Sequence, residues 1–215
     1  MTDFAAARRH MVDGQVRTAD VTDLRILSAM LEIPREQFVP PESAGLAYLD
    51  LDLRVGRGRR LLKPMVLGKL IQAADIAPTD RVLDVGCATG YGAAVLARIA
   101  GQVVALEEDG GLAQVARTAL SSQPNARVVS GPLMAGWPQG GPYDVVLLEG
   151  ATEVRPDVFL PQMREGGRLA CVEGGGPGAK AMLYYRSADE LGGRAVFEAH
   201  AALLPGFAKA PMFAF

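Results

Sequence analysis

The segment VLDVGCATGYG (82–92) reads as a strand, a turn carrying Gly86 and Gly90, and the start of a helix. Glycines at such a turn let the backbone bend tightly and approach a ligand where a side chain would collide. The N–H groups of a helix beginning near Gly90 point at the same place. Asp84, at the end of the strand, can accept hydrogen bonds from an amino-bearing or cationic ligand. The next apolar run, QVVALE (102–107), ends on Glu107, about 20 residues on, where a carboxylate holds ribose hydroxyls in nucleotide-binding folds. Strand, glycine turn, helix and second-strand acid together predict a nucleotide site. The bland alternative is a plain tight turn with a surface glutamate.

The type of nucleotide follows from what is missing. Short-chain reductases share a Gly-x-x-x-Gly-x-Gly spacing, matched here by Gly86, Gly90 and Gly92, but need a Tyr-x-x-x-Lys pair that this chain lacks. The G-x-G-x-x-G dinucleotide pattern is absent as well. Asp84, two residues before the first glycine, suits the ammonium group of S-adenosylmethionine, and that cofactor is the expectation. Methyl transfer to a carboxylate needs no general base, because an acid with a pKa near ~4 is already ionised at pH 7. Catalysis then consists of holding oxygen, methyl and sulfur in line. Amino-group methylation is disfavoured: the D/N-P-P-aromatic turn it uses after the fourth strand reads Glu149-Gly150-Ala151-Thr152 here.

These residues need a scaffold, and 215 residues with 49% hydrophobic content suffice for one ordinary domain with an extension. The net charge of −2 gives no reason to expect nucleic acid as a partner. No apolar run is long enough for a membrane helix. Cys87 and Cys171 lie far apart, and the two histidines, His10 and His200, share no metal-ligand spacing with them. No disulfide framework or metal site is expected, and a reducing cytoplasm fits. Both cysteines read as inert core residues, His10 as a surface position on a helix and His200 as part of a strand.

Apolar spacing predicts a helix from Val21 to Leu31, stopped before Pro34, and another over 64–74 with Pro64 at its first position. From residue 81 strands (81–86, 102–107, 126–130, 143–149, 167–173) alternate with helices (90–100, 110–121, about 156–163). That rhythm predicts a parallel sheet with helices on both faces. Segments 181–186 and 194–203 look like a closing antiparallel hairpin. The fold class expected is α/β: the class I methyltransferase Rossmann-like doubly wound sheet, mostly parallel, with a helical extension and substrate loop over 1–62 and the cofactor-binding domain over 63–215.

The amino-terminal half narrows the reading. RRHMVDGQVR (8–17) and DLRILSAMLEIPREQFVP (23–40) resemble the opening helices of protein-L-isoaspartate O-methyltransferases, with their M-V-x-x-Q-[LV]-R and V-P-R-E-x-F-V-P patterns. Residues 48–70 resemble the family segment Y-x-D-x-x-L-P-I-G-x-G-Q-T-I-S-x-P, in register through Tyr48, Asp50, Gly56, Gly58 and Pro64. The glycine loop, YDVVLLEGA (143–151) and MREGGRLACVEG (163–174) follow in family order. The resemblance implies methyl transfer from S-adenosylmethionine to an isoaspartyl carboxylate in a protein or peptide, leaving S-adenosylhomocysteine. The ester promotes succinimide closure and hence repair to aspartate. The candidate donor contacts are Asp84, Gly86, Cys87, Ala88, Gly90, Glu107, Glu108, Gly131, Pro132, Leu133 and Glu149. A monomer or homodimer is expected.

The chain departs from the family pattern where substrate chemistry belongs. Q-T-I-S reads Arg59-Arg60-Leu61-Leu62, so Arg60 and Leu62 stand at the hydroxyl positions, and a glycine of the loop is Ala88. Gly-Asp-Gly reads Gly131-Pro132-Leu133, which removes an acid expected near the adenine. Residues 54–63 carry Arg54, Arg57, Arg59, Arg60 and Lys63 with no acid. They form either an anion-binding loop, since arginine pairs carboxylates bidentately, or a solvated basic loop. Arg59 and Arg60 are the candidates to grip the acceptor, from its outer side, and isoaspartyl turnover is expected to be weak. Two other readings stay open: a methyltransferase for another anionic acceptor, and a non-catalytic protein that binds S-adenosylmethionine.

Overall fold

The structure, a computed structural model, describes residues 3–56 and 58–210. Helix α1 (Phe4–Met11) starts on Asp3, whose carboxylate accepts from the Ala6 N–H. Helix α2 (Leu24–Glu32) is capped by Asp23, turns Ile26, Leu27 and Met30 inward and stops ahead of Pro34, as its pattern demands. Val21 is buried but lies outside it. Two short strands, β1 (Leu53–Gly56) and β2 (Arg59–Leu61), pair antiparallel. Helix α3 (Pro64–Ala73) follows with proline in its first turn. Asp52 and Asp50 accept from the N–H groups of Lys63 and Met65, and so fix its start relative to the hairpin.

The main sheet contains β3 (Arg81–Val85), β4 (Gln102–Glu107), β5 (Ala126–Ser130), β6 (Tyr143–Thr152), β7 (Met163–Glu173), β8 (Lys180–Ser187) and β9 (Glu190–Glu198). Their spatial order is β5-β4-β3-β6-β7-β8-β9. The first five run parallel, and β8 and β9 are added by antiparallel pairing, β8 on β7 and β9 on β8, the doubly wound layout with a closing hairpin expected from the sequence. Helices α4 (Tyr91–Leu96) and α5 (Gly110–Ala119) join β3 to β4 and β4 to β5. The chain moves outward in one direction from β3 and returns to its other side with β6. The carboxyl ends of β3 and β6 therefore flank the reversal of strand order, where open α/β sheets leave a ligand crevice.

Several boundaries differ from the sequence expectation. Helix α4 has only six residues. The segment near 156–163 is a 3-10 helix over Asp157–Gln162 that contains Pro161. Strand β6 continues through Thr152, so Glu149–Thr152 is strand rather than a turn after it. β9 begins and ends earlier than expected, which leaves His200 exposed beyond the strand. The following segment turns back over the sheet: Ala151 donates to the Ala202 carbonyl, and Leu204 donates to that of Ala151.

The two halves of the chain share one core. Met11, Val16 and Met30 belong to the same apolar cluster as Leu67, Leu70, Val82 and Leu147. Thr89 Oγ1 donates to the Phe38 carbonyl at 2.6 Å, and Phe38 meets Tyr91 edge-on at 5.5 Å. The amino-terminal segment is thus tied to the glycine turn.

Candidate active site

Gly86 follows β3 with φ +79°, and Ala88 and Gly90 also have positive φ, at +49° and +93°. A side chain on Gly90 would press on Ala116 of α5 at 3.2 Å, so this glycine serves helix packing. Ala88 holds a left-handed conformation that costs a residue with a Cβ roughly 1–2 kcal/mol. The turn brings three buried carboxyl groups together: Asp84 from β3, Glu107 from β4 and Glu149 from β6.

Glu107 is fully engaged. Its Oε2 accepts from Ala88 N–H at 2.8 Å and from Arg59 Nη2 at 3.2 Å, and its Oε1 from the N–H groups of Glu108 and Asp109, both at 3.1 Å. Asp84 and Glu149 face each other within hydrogen-bonding reach. Among the described residues no N–H or hydroxyl serves either oxygen of Asp84 or Oε1 of Glu149. Two carboxyl groups bond only if one keeps a proton. Burial pushes Asp84 up to about 7. Burial, together with the charge of Asp84, pushes Glu149 well above the carboxylate range. Gly92 makes room for this pair, since a Cβ there would lie 2.1 Å from Glu149 Oε1.

The β1–β2 hairpin separates the arginines by alternation. Arg54 and Arg60 stand directly opposite each other on its outer face, whereas Arg59 lies on the buried face. Arg59 is 4% exposed, and its Nη2 donates to the Gly86 carbonyl at 2.6 Å as well as to Glu107. This corrects the expectation that Arg59 grips an acceptor from the outer side: the alternation along β2, in the register set by the irregularity between Arg54 and Gly56, sends it inward. Arg60 donates to the Asp52 carbonyl at 3.1 Å. Arg54, Gly56, Gly58, Arg59 and Arg60 line a cleft of about 240 Å³. Arg57 lies outside the described residues.

Leu62 packs in the core at 2% exposure, with its carbonyl accepting from Arg35 Nη2 at 2.7 Å. It is a packing residue in this fold. Arg35 is the residue that sequence reasoning missed. It is fully buried, with its guanidinium 4.5 Å from the Tyr91 ring and a second bond to the Ala47 carbonyl. The P-R-E signature was its only signal.

The remaining candidates scatter. Glu108 is exposed and accepts weakly from Leu133 N–H at 3.4 Å; Leu133 is buried in the second apolar cluster, and Pro132 is exposed. Gly131 faces the Trp137 ring, which packs on that same cluster. The Cys87 thiol is buried beside Asp84 and pushed well up, chiefly by burial, so it stays neutral and unreactive. Among the described residues no cluster of metal-ligating side chains occurs. A cleft of about 420 Å³ at the opposite end of the strands, near Gln102 and Asn125, is remote from the glycine turn.

Comparison with known proteins places this geometry. Residues 6–191 match the family model described as protein-L-isoaspartate(D-aspartate) O-methyltransferase. Protein-L-isoaspartate O-methyltransferase 1 of Rhodopseudomonas palustris (strain HaA2) is 37% identical over 184 residues, covering 85% of this chain and 75% of that protein. The Methylorubrum extorquens (strain PA1) enzyme is 39% identical, covering 84% and 79%. A solved protein-L-isoaspartate O-methyltransferase superposes with a TM-score of 0.81 at 25% identity, over 93% of this chain and 66% of that one. A Plasmodium falciparum β-aspartate methyltransferase in complex with S-adenosyl-L-homocysteine shares the fold, with a TM-score of 0.73 at 14% identity over 95% and 99% of the two chains.

Proposed function

Because the chain belongs to the protein-L-isoaspartate(D-aspartate) O-methyltransferase family, we propose that it methylates an isoaspartyl carboxylate, with the outer face of the β1–β2 hairpin receiving the acceptor. One observation carries the acceptor assignment. Arg54 and Arg60 are cross-strand partners of like charge, an arrangement that destabilises a hairpin unless an anion lies between them. An acceptor carboxylate fills that role and is recognised bidentately by a guanidinium.

The family's methyl donor is S-adenosylmethionine, which supplies an electrophilic methyl group on a sulfonium. The donor set fits it in chemistry: Asp84 brings buried oxygens with no N–H or hydroxyl partner for an ammonium group, and Glu107 stands at the end of β4 for ribose hydroxyls. Gly86 supports close approach. These residues bind and orient; none has to remove a proton, because the acceptor carboxylate is ionised at neutral pH. Positioning falls to Arg60, since Leu62 offers no hydrogen bond, and turnover of isoaspartyl peptide is expected to be slow.

No helix among the described residues is long and apolar enough to cross a membrane. A cytoplasmic protein that acts on peptides or proteins, free of nucleic acid and working as monomer or homodimer, completes the proposal. The test is incubation with labelled donor and an isoaspartyl peptide, scored as base-labile methyl ester. Arg60→Ala should raise KM for the peptide about tenfold, the value of one charge-assisted hydrogen bond. Donor binding without ester would favour another anionic acceptor or a non-catalytic role.

A further inference from the structure

The side chain of Arg59 and the methyl donor compete for one space. A Cβ on Gly86 would meet Arg59 Nη2 at 2.6 Å and Leu204 Cδ2 at 2.9 Å, so the room above this glycine is filled by the chain itself. Glu107 has about four acceptor positions as a carboxylate. All four are used, three by backbone N–H groups and one by Arg59. Ribose hydroxyls gain a place on Oε2 only when the guanidinium leaves. We propose that Arg59 is an internal competitor of the donor, closing the crevice in the free protein together with Leu204, and that donor binding requires the β1–β2 hairpin to withdraw it. This rests on the donor reading given above.

Charge explains why such an exchange can be balanced. Arg59 places one positive group among Asp84, Glu107 and Glu149. Its departure leaves buried negative charge uncompensated, and a cationic donor restores the compensation. The guanidinium and a sulfonium cannot share the crevice, since they repel at short range. Among the described residues β1 and β2 pair with each other and with no strand of the main sheet, so a shift of the hairpin breaks no hydrogen bond of that sheet. On the other side, Leu204 is held through the Ala151 backbone, beside Gly150, where a Cβ would meet its side chain at 2.7 Å.

A site open in a tenth or less of the molecules loses roughly tenfold or more in apparent affinity. Calorimetry with S-adenosylmethionine should therefore show Arg59→Ala binding about tenfold or more tightly than the natural protein, while its unliganded melting temperature falls. In stopped-flow mixing, the observed rate for the natural protein should level off with donor concentration, and that for Arg59→Ala should keep rising linearly. Equal or weaker binding by Arg59→Ala, or a linear rate for the natural protein, overturns the competition while leaving the donor reading intact. Should Arg59→Ala not fold, Leu204→Ala removes the second stopper and is expected to tighten binding by a smaller factor; unchanged affinity there counts against the proposal. Absence of binding by the natural protein and both variants would overturn the donor reading and the competition together.

Discussion

Glu107 lies on one side of the crevice and the Asp84–Glu149 pair on the other, equally buried and one strand apart, but their charges are handled differently. Glu107 is surrounded by three backbone N–H groups and a guanidinium. Among the described residues no N–H or hydroxyl serves either oxygen of Asp84 or Oε1 of Glu149, and burial pushes both groups up, Asp84 to about 7. At equal burial the two sides thus differ in the number of hydrogen-bond donors within reach. The first, paired side has its donors in place, and the second has buried oxygens that a cationic ligand could serve.

The largest effect expected is on the paired side. Glu107→Ala strands Arg59 as a buried, unpaired cation and takes the acceptor from three N–H groups, at a cost of about 3–5 kcal/mol. Urea denaturation measures this, and a loss below about 1 kcal/mol would mean that the pair behaves as an exposed one. On the other side the dependence is on pH. The folded protein holds on Asp84 a proton that the unfolded chain releases near pH ~4. Stability therefore falls as pH rises from there through about 7. Each such proton contributes roughly 1.4 kcal/mol per pH unit. Glu149→Gln gives Asp84 an amide donor and should flatten that slope, making the variant more stable than the natural protein at pH 8. Parallel denaturation series at pH 5 and pH 8 with the same slope for both proteins would dissolve the pair. The smallest effect concerns the turn between the two sides. Ala88→Gly relieves a left-handed alanine and should raise stability by about 1 kcal/mol, visible as a small upward shift in the denaturation midpoint.

The glycine turn and the stop of α2 ahead of Pro34 were legible because each rests on neighbours in sequence, whereas the helix starts after Asp23 and not at Val21. The strand rhythm was equally legible, since a strand covered on both faces must be apolar throughout, as in β3. Strand β6 was read short because Glu149 looked like its end. The glutamate is tolerated inside the strand only because Asp84 and the side-chain-free Gly92 make a place for it. Arg59 was legible as a candidate, but its direction was not. In a strand the side alternates with each residue, so inward or outward depends on hairpin register, here set by an irregularity between Arg54 and Gly56.

The sequence by itself determined the fold class, the family and the presence of acids at the ends of β3 and β4, because these follow from local period and motif order. Only the tertiary structure decided that Glu107 is saturated, that Asp84 and Glu149 are buried together without N–H or hydroxyl donors, and that Arg59 and Leu204 occupy the room above Gly86. The physical reason is distance along the chain. The contacts of Glu107 and Gly86 with Arg59 span 48 and 27 residues. Protonation and access depend on which groups the fold brings within about 3 Å of one another, and no local pattern encodes that.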